Sequence, residues 1–163
     1  ILHARHLIND EAFAVLLADD LILNNPSCTE QLIEAYQKTS STVIGLNKVP
    51  EEETDKYGVI SSDDIDSSLN TFQLNDIVEK PENNPPSNLA VVGRYILSAK
   101  IFNYLENLQP SVGGEVQLTD AIKLMLADEQ VYGHIYEGQK FDCGSRHGYV
   151  QAIAHLAPGV LGE

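Results

Sequence analysis

The feature that most constrains the fold is an apolar run over residues 13–18, FAVLLA, that ends directly in Asp19 and Asp20. An uninterrupted apolar run predicts a strand buried on both faces, as in a parallel sheet. Ligands of open α/β sheets gather at the carboxyl ends of such strands. The run therefore predicts an α/β fold with a polar site at the end of its first strand.

A helix and a second strand follow this run. Ser27 and Glu30 have capping-box spacing, which predicts the start of a helix. The apolar face of this helix is made of Leu32, Ile33 and Tyr36. Residues 42–46 predict the second strand, and its connection through a helix predicts parallel pairing with the first.

The rest of the chain mixes short strands with helices. Residues 81–88 contain three prolines and predict an irregular segment. Strands are predicted at 57–60, 72–78, 89–96 and 131–136, and helices at 99–108, 117–128 and 148–156. No repeat or linker divides the sequence, so it predicts a single domain over residues 1–163 with a mixed sheet.

Composition restricts the possible partners. The formal net charge is −14, which argues against binding a nucleic-acid backbone because that requires clustered Lys and Arg. No apolar stretch approaches the roughly 20 residues of a membrane span, and no signal peptide is recognisable, so a cytoplasmic protein is expected. Cys28 and Cys143 are then expected to be reduced thiols.

Asp19 and Asp20 are the first candidates for a functional site. Carboxylates at a strand end can hold Mg²⁺, which prefers oxygen ligands and often bridges to substrate phosphates. The alternative is a pair of aspartates that only shapes a turn or caps a helix.

Glu79 and Lys80 form a second candidate at the end of another predicted strand. A carboxylate can accept sugar hydroxyls, and a lysine can meet a phosphate as a point charge. Adjacent strand residues point to opposite faces, so both serve one pocket only if Pro81 bends the exit. The alternative is a solvated charge pair before a turn.

Asp142 is the third candidate, between the last predicted strand and the last helix. It is a possible second metal ligand, and Gly144 would allow close backbone approach. Aspartate and serine at this place can equally turn the chain and cap the helix.

The order of several motifs resembles that of bacterial UTP–glucose-1-phosphate uridylyltransferases. The motifs are LLADD at 16–20, YGV at 57–59, VEKP at 78–81, PSNLAVVGRYILS at 86–98, GGEVQLTDAI at 113–122 and FDCGSRHGYVQA at 141–152. YGV and EKP also occur in glucose-1-phosphate thymidylyltransferases, whereas GGEVQLTDAI favours the uridylyl enzymes.

The resemblance implies a Rossmann-like α/β sandwich of the nucleotide-diphospho-sugar transferase type and a Mg²⁺-dependent enzyme. Its implied partners are UTP and glucose-1-phosphate, and it implies a homo-oligomer. By matching position, Asp19 binds Mg²⁺, Gly58 and Glu79 bind glucose, and Lys80 contacts the phosphate as the catalytic lysine. Asp142 matches the second metal aspartate of the thymidylyl relatives.

The sequence departs from the family at its beginning. The sequence starts at Ile1, its only methionine is Met125, and the glycine-rich GxGTRxxPxTK loop of the family is not among its 163 residues. We therefore expect a C-terminal part of such an enzyme that does not make UDP-glucose alone. A non-catalytic binding or assembly module with the same fold is the alternative, and a thymidylyltransferase is a third possibility.

Overall fold

The computed structural model describes residues 1–65, 68–109 and 116–161 of the chain. Its strands are β1 (Phe13–Leu16), β2 (Asp20–Leu23), β3 (Thr42–Lys48), β4 (Gly58–Ser61), β5 (Thr71–Gln73), β6 (Asp76–Glu79), β7 (Leu89–Leu97), β8 (Val131–Ile135) and β9 (Gln139–Asp142). Its α-helices are α1 (Cys28–Thr39), α2 (Ile101–Asn107), α3 (Leu118–Met125) and α4 (Arg146–Leu161). Short 3₁₀ helices cover Leu2–Leu7 and Glu51–Lys56.

The main sheet is mixed and is centred on β7. Its strand order is β5-β8-β3-β7-β4-β6, with β1 also paired to β7. β3 runs antiparallel to β7 and parallel to β8. Because eight of the nine β7 residues are buried, this strand suits the middle of a sheet covered on both faces. The mixed α/β architecture predicted from the sequence is confirmed.

Two apolar layers cover the sheet. Alternate residues of β3 and β7 point to opposite faces, as strand geometry requires. One face packs on α2 and α3, where Ile101 and Ile122 are fully buried. The other face packs on α1 through Leu32 and Ala35. None of the described helices is long and apolar enough to cross a membrane.

The predicted pairing of the first strand is wrong. β1 pairs antiparallel with β7, and β7 lies between β1 and β3, so these two strands run parallel to each other without being neighbours. Burial along β1 alternates instead of being continuous, and Leu16 is 53% exposed. The apolar β7 occupies the central position that the sequence pattern assigned to the pair β1 and β3.

The strand predicted over residues 72–78 is two strands. β5 pairs with β8, whereas β6 pairs with β4. Leu74 and Asn75 carry the chain between them, and their amides donate to the carbonyls of Val131 and Ser61. Apolar residues occur on both sides of this crossover, at Phe72 and Leu74 and again at Ile77 and Val78, so the sequence reads as one strand.

Local signals predict the structure more reliably. The Ser27–Glu30 capping box is present, with the Ser27 amide donating to Glu30 at 2.7 Å and the Glu30 amide to Ser27 at 3.2 Å. Cys28 and Cys143 are not joined by a disulfide, and their reduced state stays a prediction. The β2–β9 ribbon, however, was missed. It is a separate antiparallel pair that places Asp20 opposite Asp142.

Candidate active site

One cleft collects every candidate residue that the sequence singled out. It encloses about 540 Å³ along one edge of the main sheet and the β2–β9 ribbon. The candidates that line it are Asp19, Gly58, Glu79, Lys80 and Asp142. These residues come from four separate segments of the sequence, which the fold brings together.

The acidic end of the cleft is built around Gly144. The amide of Cys143 donates to the Asp19 carbonyl at 2.7 Å, which holds the two chain segments together. A methyl group placed on Gly144 would lie 3.1 Å from Oδ2 of Asp19 and 3.2 Å from Oδ1 of Asp142. Oδ1 of Asp142 also accepts the Gly144 amide at 3.1 Å, as in the turn that the sequence offered as the alternative. The two carboxylates border one small space that glycine leaves open.

This space suits a small divalent cation. Mg²⁺ is commonly held by one or two carboxylates and completes its octahedral shell with water and substrate phosphates. Asp19 and Asp142 supply that number of carboxylates at the rim of an accessible cleft. Among the described residues, no set of three or more His, Cys, Asp or Glu side chains is arranged as a metal site.

Asp20 takes a structural role. Its Oδ2 accepts the Gly93 amide at 2.7 Å, and its Oδ1 lies 2.9 Å from Nζ of Lys140. Arg94 donates to the Asp20 carbonyl and, at 3.0 Å, to the Leu17 carbonyl. Asp20 thereby ties the ribbon to the central strand, and both its carboxylate oxygens are occupied.

The opposite end of the cleft is formed by β4 and β6. Gly58 lies directly opposite Glu79 in this antiparallel pair. A methyl group on Gly58 would lie 3.2 Å from Oε2 of Glu79 and 3.2 Å from Cγ2 of Thr119. Glycine at this position therefore leaves the carboxylate and the threonine accessible from the cleft.

Lys80 turns into the same cleft because of its backbone conformation. Its φ is +45°, in the left-handed region, and Pro81 follows. The chain thus leaves the strand at Glu79, and Nζ of Lys80 lies 4.0 Å from Oε1 of Glu79 with the lysine side chain 60% exposed. A left-handed non-glycine residue costs on the order of 1–3 kcal/mol, and such strain is typical of functional sites. The bend that the sequence interpretation required at this point is present.

Thr119 and Lys140 also line the cleft and were not anticipated. Thr119, near the start of α3, belongs to the motif GGEVQLTDAI, whose first three residues lie outside the described residues. Lys140 lies with its Nζ 5.1 Å from the ring centroid of Tyr57. Because β9 was not predicted, the alternation that puts Lys140 and Asp142 on one face could not be used.

Tyr95 of β7 also borders the cleft and is 7% exposed. Burial, together with the charges of Asp20 and Glu79, raises the pKa of its phenol above the usual range. The hydroxyl is therefore neutral at pH 7 and offers a hydrogen-bonding group without charge.

The chain is similar to known sugar nucleotidyltransferases. Residues 1–158 match the family model described as nucleotidyl transferase. A Pseudomonas aeruginosa UTP–glucose-1-phosphate uridylyltransferase is 44% identical over 155 residues, 93% of this chain and 55% of that protein. The Bacillus subtilis protein of the same name is 43% identical, over 94% of this chain and 52% of its own length.

The likeness extends to solved structures. A UDP-glucose pyrophosphorylase crystallised with UDP-glucose superposes with a TM-score of 0.90 at 37% identity. The match covers 97% of this chain and 60% of that one. The chain spans about half the length of the curated relatives it matches.

Proposed function

The chain belongs to the nucleotidyl transferase family, and from this premise we propose that it carries the sugar-phosphate site of an enzyme that makes UDP-glucose and pyrophosphate. The substrates would be UTP and glucose-1-phosphate, as the names of the relatives suggest. The proposal rests on one observation. A single cleft is lined by two aspartates, a glutamate, a lysine and a glycine that leaves room for a ligand.

The sugar would lie at the β4–β6 end of the cleft. Glu79 offers carboxylate oxygens to glucose hydroxyls, and the bare backbone of Gly58 lets the ring approach closely. The exposed ammonium of Lys80, beside Glu79, would pair with the phosphate of the same molecule. The spacing of these groups matches a ligand that is a polyol at one end and an anion at the other.

The nucleotide phosphates would approach from the acidic end. Asp19 and Asp142 would hold a Mg²⁺ ion there, and bound Mg²⁺ supplies positive charge that offsets the charge of the phosphates. The Asp20 carboxylate, tied to Gly93 and Lys140, keeps the segment that carries Asp19 in place.

The proposed reaction is a displacement at phosphorus. An oxygen of the glucose-1-phosphate phosphate attacks the α-phosphorus of UTP, the bond from that phosphorus to the bridging β-phosphate oxygen breaks, and pyrophosphate leaves. The side chains form no covalent bond; they position the reactants and stabilise charge. Lys80 is the catalytic residue in this scheme because it contacts the attacking phosphate.

The test of the sugar assignment is Glu79→Gln in protein expressed from the complete reading frame, with Glu34→Gln on the exposed face of α1 as matched control. The KM for glucose-1-phosphate should rise about tenfold, since an unpaired polar group costs ~1–3 kcal/mol. The KM for UTP should stay within experimental error. An equal rise in both constants would make Glu79 structural.

The same assay compares UTP with dTTP. A preference for UTP supports a uridylyltransferase, whereas a preference for dTTP would move the protein to the thymidylyl enzymes. Absence of pyrophosphate release with either nucleotide would favour a binding module. Mg²⁺ dependence, a homo-oligomer and a cytoplasmic location remain predictions.

A further inference from the structure

Lys140 and Asp20 form an ion pair within the wall of the cleft. The Nζ–Oδ1 distance is 2.9 Å, and the two side chains are only 13% and 14% exposed. In the β2–β9 register Lys140 lies opposite Ile22, so it reaches Asp20 as the diagonal cross-strand neighbour. Such a shielded pair is screened far less by salt than a surface pair.

The position of this pair is unusual because it lies among other carboxylates. Asp20 follows Asp19 in the chain and lies opposite Asp142 in the ribbon. Three carboxylates therefore line one end of the cleft, and those nearest to a methyl group on Gly144 belong to Asp19 and Asp142.

The other nearby cation does not neutralise Asp20. Arg94 directs its guanidinium to backbone carbonyls, those of Leu17, Gly93 and Asp20 itself. The Gly93 amide satisfies one carboxylate oxygen but brings no net charge. Lys140 is thus the cation that the described residues place against the Asp20 carboxylate.

We propose that Lys140 is a positioning residue that keeps Asp20 out of the metal-binding set, so that a divalent cation is held by Asp19 and Asp142 alone. This inference rests on the proposed function. Without Lys140, Oδ1 of Asp20 has lost its cation beside a cation site, and Asp20 becomes a third anionic ligand. The cation is then bound more tightly and away from the position in which it meets the phosphates.

The test uses protein expressed from the complete reading frame and Mn²⁺ as the probe, titrated by calorimetry without nucleotide. Lys140→Met should bind Mn²⁺ about tenfold more tightly, because the Asp20 carboxylate is released to the cation. Its turnover should fall while its KM for glucose-1-phosphate changes little. Lys48→Met, an exposed lysine on β3, is the matched control and should behave as wild type.

The decisive variant combines Asp20→Asn with Lys140→Met. The side-chain amide introduced by Asp20→Asn can still accept the Gly93 N–H but offers no carboxylate. Mn²⁺ affinity should therefore return to within about twofold of that of Asp20→Asn alone. A double variant that keeps the tighter binding would overturn the inference, since Lys140 would then act without Asp20. If Lys140→Met proves unstable in thermal unfolding, Lys140→Gln replaces it with the same expectation.

Asp142→Asn distinguishes a failure of the proposed metal site from a failure of the role proposed for Lys140. If it weakens Mn²⁺ binding while Lys140→Met leaves the affinity unchanged, the metal site stands and the role of Lys140 is rejected. If Asp142→Asn has no effect on Mn²⁺ binding, both the metal assignment and the inference drawn from it are rejected.

Discussion

Asp20 lies directly opposite Asp142 in the β2–β9 ribbon. This register aligns the chain segment that follows β1 with the segment that precedes α4. Asp19 stands just before the ribbon and Asp142 at its end, so both carboxylates fall at the same end of the ribbon. A slip of one residue would turn Asp142 to the other face of the ribbon, away from its partner Asp20.

The close approach at Gly58 is directly testable. In Gly58→Ala the new methyl group lies 3.2 Å from both Glu79 and Thr119, so both side chains must shift slightly. We expect the KM for glucose-1-phosphate to rise about tenfold, corresponding to ~1.4 kcal/mol, with the KM for UTP unchanged. Steady-state kinetics with each substrate varied in turn measures this.

Gly159→Ala is the matched control for Gly58→Ala. Its added methyl group meets nothing within 4 Å, on the exposed surface of α4. If Gly58→Ala and Gly159→Ala have the same kinetics, the sugar does not approach the β4–β6 end of the cleft.

A second glycine, Gly93, is expected to affect the stability of the fold. In Gly93→Ala the methyl group would lie 2.5 Å from Cβ of Leu17 and 3.0 Å from Oδ2 of Asp20. Because Cβ of Leu17 cannot move without its backbone, the turn that carries Asp19 must shift. We expect the free energy of unfolding to fall by about 1–3 kcal/mol, as in other overpacked sites. Urea unfolding measures it, and an unchanged midpoint would mean that the turn yields freely.

The sequence predicted the structure best where that structure depends on neighbouring residues or where a short motif marks the position. The Ser27–Glu30 capping box depends on neighbouring residues only and was predicted correctly. The cleft residues were found because short motifs mark their positions, although their roles remain predictions. The spatial convergence of Asp19 and Lys80 is not readable from either motif alone.

Non-local pairing explains what was missed. β1 pairs with β7, a strand much later in the chain. The helix that follows β1 therefore does not determine which strand lies beside it. The ribbon strands have four residues each, and β2 begins with Asp20, a residue depleted in strands. Without the ribbon, Lys140 had no visible connection to the acidic residues.

Thiol labelling tests the packing of α1 against the sheet. Burial raises the pKa of the Cys28 thiol from 9.0 to about 12, and its side chain is 2% exposed. At pH 8 one thiol, that of Cys143, should react with iodoacetamide in the folded chain, and two should react after unfolding in urea. Two labels on the folded chain would contradict the burial of Cys28.

The same shift predicts a pH dependence of stability. A raised pKa in the folded state means that the protonated thiol favours folding, so the contribution is fully present below pH 9. It is lost progressively as the pH rises from 9 to about 12. Burial also raises the pKa values of Tyr95 and Tyr136, which add to the pH dependence of stability. The contribution of Cys28 is therefore measured by comparing wild type with Cys28→Ala. As the pH rises, the free energy of unfolding of Cys28→Ala should fall less steeply than that of wild type. Equal slopes for the two proteins would contradict the raised pKa of Cys28.

The most direct test of the account is turnover in Asp19→Ala, measured as pyrophosphate released from UTP and glucose-1-phosphate at saturating Mg²⁺. Protein from the complete reading frame is compared with Asp10→Ala, an exposed aspartate away from the cleft, and with melting temperatures of all three proteins. We expect kcat to fall on the order of 10²–10³-fold in Asp19→Ala, without a matching loss of stability. Turnover of Asp19→Ala close to that of Asp10→Ala would contradict it.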